Sequence, residues 1–202
     1  MKNFFTIFGI VTALFVASLS AHAQQPLEVD LDTVKTYRNL EKALENPEEV
    51  YVLKLSGKKI KKFPVEITQL VNLRELDMSK NKLKEIPDTI RVLQHLTYLN
   101  LSKNKLNEIS KGICALVNLT YLDMSQNRIL GFPEEIGQLR NLQKMDMWRN
   151  DIGEFPNELA LLKKLELMDL RSIQMSEDEQ ARIKTLLPKT EIHFSRSCNC
   201  DY

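Results

Sequence analysis

Asp123, Asp146 and Asp169 recur at one fixed interval along the chain, with Asp77 two such intervals upstream of Asp123. On neighbouring strands, residues so spaced stand about 5 Å apart. Two carboxylates at that distance can divide acid and base roles in glycoside hydrolysis, and a row of them can capture calcium. Mutual repulsion raises the pKa of the middle member, Asp146, most, while Lys144 and Arg149 oppose that rise. Nothing completes a catalytic set around them. Beyond Ala23 only His95 and His193 remain, and neither has a serine or cysteine at a spacing that suggests nucleophilic catalysis. A flat run of strand residues offers no substrate cleft, and six glycines are too few for phosphate-cradling loops in quantity. The chemistry expected is binding, with no catalytic residue, no cofactor and no resident metal.

The same interval exposes residues suited to that task. Trp148, the only tryptophan, occupies a position that holds serine at 56, 79, 102 and 125. A large aromatic in a solvent-facing slot wastes apolar surface unless something covers it. A partner can do so, or Arg171 one strand away can stack on it as a cation–π pair. Tyr98, Tyr121, Lys144, Arg149 and Arg171 lie at neighbouring strand positions, and Tyr, Trp and Arg are the types enriched at binding hot spots. With Asp123 and Asp146, these residues form the expected partner-binding patch. Cations among the aromatics favour a protein partner. A carbohydrate stacking on Tyr98, Tyr121 and Trp148 is the second reading.

A repeat must position these residues. Rows of equal length start at Val50, Leu73, Leu96, Leu119, Leu142 and Leu165; one reads LTYLDMSQNRILGFPEEIGQLRN, from 119 to 141. Numbering each row 1 to 23, positions 1, 4, 6, 11, 14, 18 and 21 are apolar at all 35 sites between residues 50 and 164. Positions 4 and 6 alternate as a strand does, leaving 3, 5 and 7 on its other face. Positions 14, 18 and 21 have the i, i+4, i+7 spacing of a short helical return. One such row cannot bury its apolar face alone, so the rows must stack. Position 9 holds Asn81, Asn104, Asn127 and Asn150, read as a structural ladder whose amides satisfy the turn backbone of their own row and the next. Pro64, Pro87, Pro133 and Pro156 at position 15 suit a first helical residue. Ser110 stands there in the middle row and can cap instead.

The recurring LxxLxLxxNxL followed by IPxxIxxL resembles the leucine-rich repeat family, in its 23-residue class, from Val50 to about Met175. The resemblance implies an α/β solenoid curved like a horseshoe, with a parallel sheet on the concave face and short helices on the convex face. It also implies protein binding, on the concave face. The family's ligase-type and kinase-type members carry catalytic domains, and none is expected here. Lys58 and Ile173 replace the ladder asparagine in the terminal rows, as caps do.

Four segments follow: 1–23 a signal peptide, 24–49 an N-terminal helical cap, 50–175 about six repeats, and 176–202 a C-terminal cap with a tail. Val34, Tyr37, Leu40 and Leu44 have helical spacing, ended by Asn46-Pro47. Ser176 to Glu179 reads as a capping box, Pro188 stops the helix that follows, and Ile192 and Phe194 alternate as a closing strand. Leu187-Pro-Lys-Thr190 has no following glycine or apolar tail, so it is not a sorting signal. Cys198 and Cys200 lie in the tail, too far from Cys114 along the stack for a disulfide. Asn100-Leu-Ser102 and Asn118-Leu-Thr120 match the glycosylation pattern as by-products of the repeat.

Composition sets the remaining bounds. The formal charge of +1 becomes zero without Lys2, so neither nucleic acid nor any other polyanion is expected as a partner. Lys2, the apolar run from Phe4 to Leu19 and Ala21-His-Ala23 form a secretory leader, too short to span a bilayer. The mature chain is expected to lack a membrane span and to be exported, whether to periplasm, cell surface or medium. Intact-mass measurement of exported protein should give a chain that begins at Gln24.

Overall fold

A three-position strand cannot hold itself together, and here each one borrows its hydrogen bonds from the next row. In the computed structural model, residue 31 and residues 33–195 are described; the expected leader, Cys198 and Cys200 lie outside them. Strands β1 (Thr36–Tyr37), β2 (Val52–Lys54), β3 (Glu75–Asp77), β4 (Tyr98–Asn100), β5 (Tyr121–Asp123), β6 (Lys144–Asp146), β7 (Leu167–Leu170) and β8 (Glu191–Phe194) form one parallel sheet in chain order. From Val52 opposite Glu75 to Lys144 opposite Leu167 the register advances by one whole row per strand. The ends break that step, with Thr36 opposite Val52 and Leu167 opposite Glu191.

The apolar positions line the space between the sheet and the returns. All of them except Ile60 are buried, and Ile60 packs against the same core. Each buried leucine contributes about 1.5–3 kcal/mol of transfer free energy. Phe132 and Phe155, at position 14 of adjacent rows, meet with ring centroids 5.6 Å apart. Among the described residues no helix is long and apolar enough to cross a membrane.

The returns are slimmer than their spacing suggests. Four of the five between β2 and β7 are 3₁₀ helices: Val65–Gln69, Asp88–Val92, Glu134–Gln138 and Asn157–Leu161. Each proline sits one residue ahead of its helix, as the extended cap, rather than at the first helical position. An α-helix about 10 Å wide does not repeat at a strand spacing of about 4.8 Å, whereas tighter 3₁₀ turns crowd less. The row that has serine in place of proline forms a true α turn, α2 (Lys111–Cys114), with Ser110 accepting a hydrogen bond from the Ile113 amide. That wider turn fits because of Gly112. A Cβ there would stand 2.5 Å from the Asp88 Cα, and its own amide donates to Asp88 Oδ1 at 2.8 Å.

The N-terminal cap is only partly helical. Tyr37 lies in β1 and covers the backbone edge of β2. The helix α1 is confined to Leu40–Leu44, where Asn39 accepts a hydrogen bond from the Lys42 amide and fixes its start. At the other end α3 (Glu177–Leu186) begins with Ser176 accepting from the Glu179 amide, but Glu179 turns to Arg182 instead of closing the capping box. Cys114 is packed in the core, and burial pushes its thiol pKa up to about 12, so it stays protonated.

The asparagines at position 9 join each row to the one before it, not to the one after. Asn104 accepts from the Leu83 amide at 3.0 Å and donates to the Met78 and Leu101 carbonyls at 3.0 and 2.9 Å. Asn81, Asn127 and Asn150 repeat the pattern on Ile60, Leu106 and Ile129. A second, exposed ladder runs along position 23, where Asn72, Asn118 and Asn141 donate to the Glu48, Gln94 and Val117 carbonyls. Asn104→Ala strands the Leu83 amide inside the core and should cost about 3 kcal/mol, whereas Asn118→Ala, facing water, should cost under about 1 kcal/mol. Urea unfolding of both variants measures the difference.

Candidate binding surface

The strand positions that face away from the core form columns across the sheet, one residue per row. Position 5 reads Asp77, Asn100, Asp123, Asp146, Asp169 from β3 to β7, and each spends an oxygen on its own turn. The Oδ1 atoms accept from the amides of Ser79, Ser102, Ser125, Trp148 and Arg171 at 2.8–3.0 Å. Asp123 and Asp169 are buried. The carboxylate row therefore works first as backbone capping, the reason an aspartate or asparagine is needed there. Among the described residues no three His, Cys, Asp or Glu side chains gather as a metal site.

Charge still accumulates along the row. Burial raises the pKa of Asp146, and Asp123 and Asp169 on either side add to the rise, against the opposing Trp148 amide. Repulsion is thus the lesser cause. Asp169 goes the other way: burial would raise it, but the Arg171 guanidinium outweighs that and holds it below the ordinary carboxylate value. Arg171 Nε lies 3.0 Å from both Asp169 oxygens, with Nη2 2.5 Å from Oδ2.

That pairing settles where Arg171 goes. It does not stack on Trp148; Arg149, the next residue, covers the indole instead, with its guanidinium carbon 5.7 Å from the ring centroid. Trp148 remains partly exposed. Its slot is also less open than a plain outward strand position: Ser79, Ser102 and Ser125 are buried, and Ser102 and Ser125 fold back to donate to Asn100 and Asp123. An indole cannot fold back in this way, so Trp148 stands proud of its column.

Position 3 brings Tyr98 and Tyr121 together. Their rings stack with centroids 4.6 Å apart and planes within 4° of parallel. Burial, then Asp123, pushes the Tyr121 hydroxyl up to about 12, so it remains a hydrogen-bond donor at neutral pH. Lys144 continues the column and is exposed. The fold thus gathers Tyr121, Lys144, Trp148, Arg149 and Arg171 on or beside β5 to β7, with Tyr98 stacked behind. Positions 10 and 12 lie outside this patch. Aligned on the same frame they read Lys59, Lys82, Lys105, Arg128 and Lys61, Lys84, a run of cations that only a reading of those columns would reveal.

The two aspartates give opposite pH responses. Asp146 binds its proton more readily in the folded chain, so stability is lost as pH rises through the carboxylate range. Asp146→Asn keeps the acceptor, as Asn100 does. It should be more stable than the unmodified chain near neutral pH, with the gain vanishing in acid. Asp169 contributes stability that is present above the ordinary carboxylate pKa and lost as pH falls, so Asp169→Asn should weaken the fold at neutral pH only. Urea midpoints at neutral and acid pH test both signs.

Residues 72–129 match a family model described as leucine rich repeat. No curated protein matches the chain in sequence. Among solved structures, a leucine-rich repeat protein of Leptospira interrogans is 35% identical over 70% of this chain and 41% of its own, with a TM-score of 0.56. The ectodomain of the Arabidopsis thaliana membrane receptor kinase GASSHO1/SCHENGEN3, in complex with CASPARIAN STRIP INTEGRITY FACTOR 2, is 29% identical over 72% of this chain and 18% of its own, at 0.60. An internalin of Listeria monocytogenes has the same fold at 18% identity, over 71% of this chain and 39% of its own, at 0.57. The chain spans less than half the length of each of these proteins. With a constant row register, eight parallel strands and an asparagine ladder among the described residues, the chain is a leucine-rich repeat protein, an α/β solenoid.

Proposed function

We propose that this chain is an exported protein-binding module that holds its partner on the open face of the sheet, between Tyr121 and Arg171, and carries out no catalysis. Trp148 carries the reading. It is a partly exposed indole in a slot where other rows tuck a serine inward, flanked by exposed Lys144 and Arg149. A partly covered aromatic ringed by cations is what a desolvated anchor looks like before its partner arrives. The receptor ectodomain of the same fold, solved with its factor bound, supports interaction as the use of such a surface. Export rests on the leader-like segment from Met1 to Ala23.

The stacked tyrosines weigh against carbohydrate on this face. Each spends one ring face on the other, which removes the platform a sugar would need between them. The partner can be identified by affinity capture from the compartment that receives the exported chain. Calorimetric titration with that partner should then show Trp148→Ala weakening binding at least tenfold, about 1.4 kcal/mol or more. An affinity within twofold of the unmodified chain would refute the patch.

A further inference from the structure

The chain is close to neutral in composition, at a formal +1, but not in space. The turn that leaves each strand carries row positions 8 to 13, and in the rows containing β2 to β5 this edge holds Lys58, Lys59, Lys61, Lys62, Lys80, Lys82, Lys84, Lys103, Lys105 and Arg128, against Glu85 and Glu108 as the only acids. All ten cations are exposed, and none forms an ion pair among the described residues. The backbone fixes their spacing. Lys82, Lys105 and Arg128 each donate an amide hydrogen to the preceding row, at Ile60, Leu83 and Leu106, all at 2.8 Å. Lys59, Lys82, Lys105 and Arg128 therefore form a file, one row apart, at the strand spacing of about 4.8 Å. Lys61, Lys62, Lys82, Lys84 and Lys105 surround one depression, with Glu85.

The backbone of this turn is common to all rows, and its side chains set the edge apart. Position 8 is left-handed in every row, and Gly57 occupies it in the first. Glycine or asparagine would adopt that conformation at lower cost. Lys80 and Lys103 hold it at φ 56°, as Gln126, Arg149 and Ser172 do at 55–58° in later rows, so the repeat itself turns this side chain outward whatever its type. Besides, the edge exposes no aromatic side chain in these four rows. It cannot stack bases as single-strand binders do, and apart from Arg128 it lacks the Tyr, Trp and Arg anchors of a protein interface, where lysine is depleted. Lysine is a mobile, hydrated point charge. A file of lysines suits a partner that is itself linear, hydrated and regularly charged.

We infer that this edge binds a linear acidic polysaccharide, its uronate carboxylates or sulfates lying along the file from Lys59 to Arg128. The site is separate from the Trp148 patch and does not rest on that reading. Composition gives no sign of this edge because acids elsewhere, including the aspartates of the open face, cancel the lysines in the total.

Fluorescence anisotropy of the full chain with a labelled heparin oligosaccharide of defined length tests it, with labelled polygalacturonate in parallel. Affinity should fall on the order of 100-fold between about 50 and about 200 mM salt, as for roughly four engaged charges. The combined variant Lys59→Gln, Lys82→Gln, Lys105→Gln, Arg128→Gln should lose a similar factor. A charge-matched control on other surfaces, Arg140→Gln, Lys163→Gln, Lys164→Gln, Lys189→Gln, and Trp148→Ala should each bind within about threefold of the unmodified chain. Because folding of the edge variant is a separate matter, a second readout uses the unmodified chain. Bound oligosaccharide should protect Lys59, Lys82 and Lys105 from acetylation and leave Lys163 reactive. Equal losses in the edge variant and its control, or unprotected edge lysines, would overturn the site. Tighter binding to random duplex DNA, or to vesicles containing phosphatidylserine, would overturn the polysaccharide as its partner.

Discussion

No row of this protein can be stable by itself. Its strand is a single short rung, its return little more than one turn, and its leucines are covered only when a second row closes over them. The asparagine at position 9 makes that closure specific. An amide offers an acceptor and two donor hydrogens from one small side chain. Asn104 uses them on the amide of Leu83 and on the carbonyls just past two successive strands, inside a core where an unmade hydrogen bond is expensive. Hydrophobic burial drives the rows together, and the ladder decides the register in which they stop. The open face and the turn edge both inherit their positions from that register: the tyrosine stack and the aspartate column on the one, the lysine file on the other.

The sequence was most readable where one physical demand recurs. Apolar residues at seven fixed positions announced both the sheet and the core, because burial allows few substitutes. Less was readable where two backbone forms satisfy the same pattern. The spacing of Ile90 and Leu93 fits either an α turn or a 3₁₀ turn, and only the crowding between rows selects the tighter one. At the N-terminus, Tyr37 has a helical interval to Leu40 and Leu44, yet the unsatisfied edge of β2 draws it into a strand. Side-chain pairing was harder still. Arg149 and Arg171 are both within reach of Trp148, and the choice turns on Asp169, which holds Arg171 with both carboxylate oxygens. The basic edge illustrates a third case: a summed charge says nothing about where the charges stand.

The solenoid separates its charges by side. The open face collects aspartates that brace their own turns, with the burial of Asp146 only partly offset by its amide bond. The turn edge collects lysines that brace nothing. This division gives the two surfaces different physics. The Trp148 patch depends on desolvated contact, which salt hardly touches, whereas the edge depends on unscreened charge, which salt weakens steeply.

The uniform step from β2 to β7 also bears on how such a chain changes over generations. Val52, Glu75, Tyr98, Tyr121, Lys144 and Leu167 stand opposite one another at identical intervals. Splicing out one whole row would therefore bring Asn104 against Ile60 with its amide bonds intact, while a loss one residue shorter would turn leucines toward water. Gain or loss of DNA in units of one row alters the reach of the solenoid while the terminal caps stay as they are. The six-row core can be lengthened or trimmed by unequal recombination, but it cannot drift by single residues.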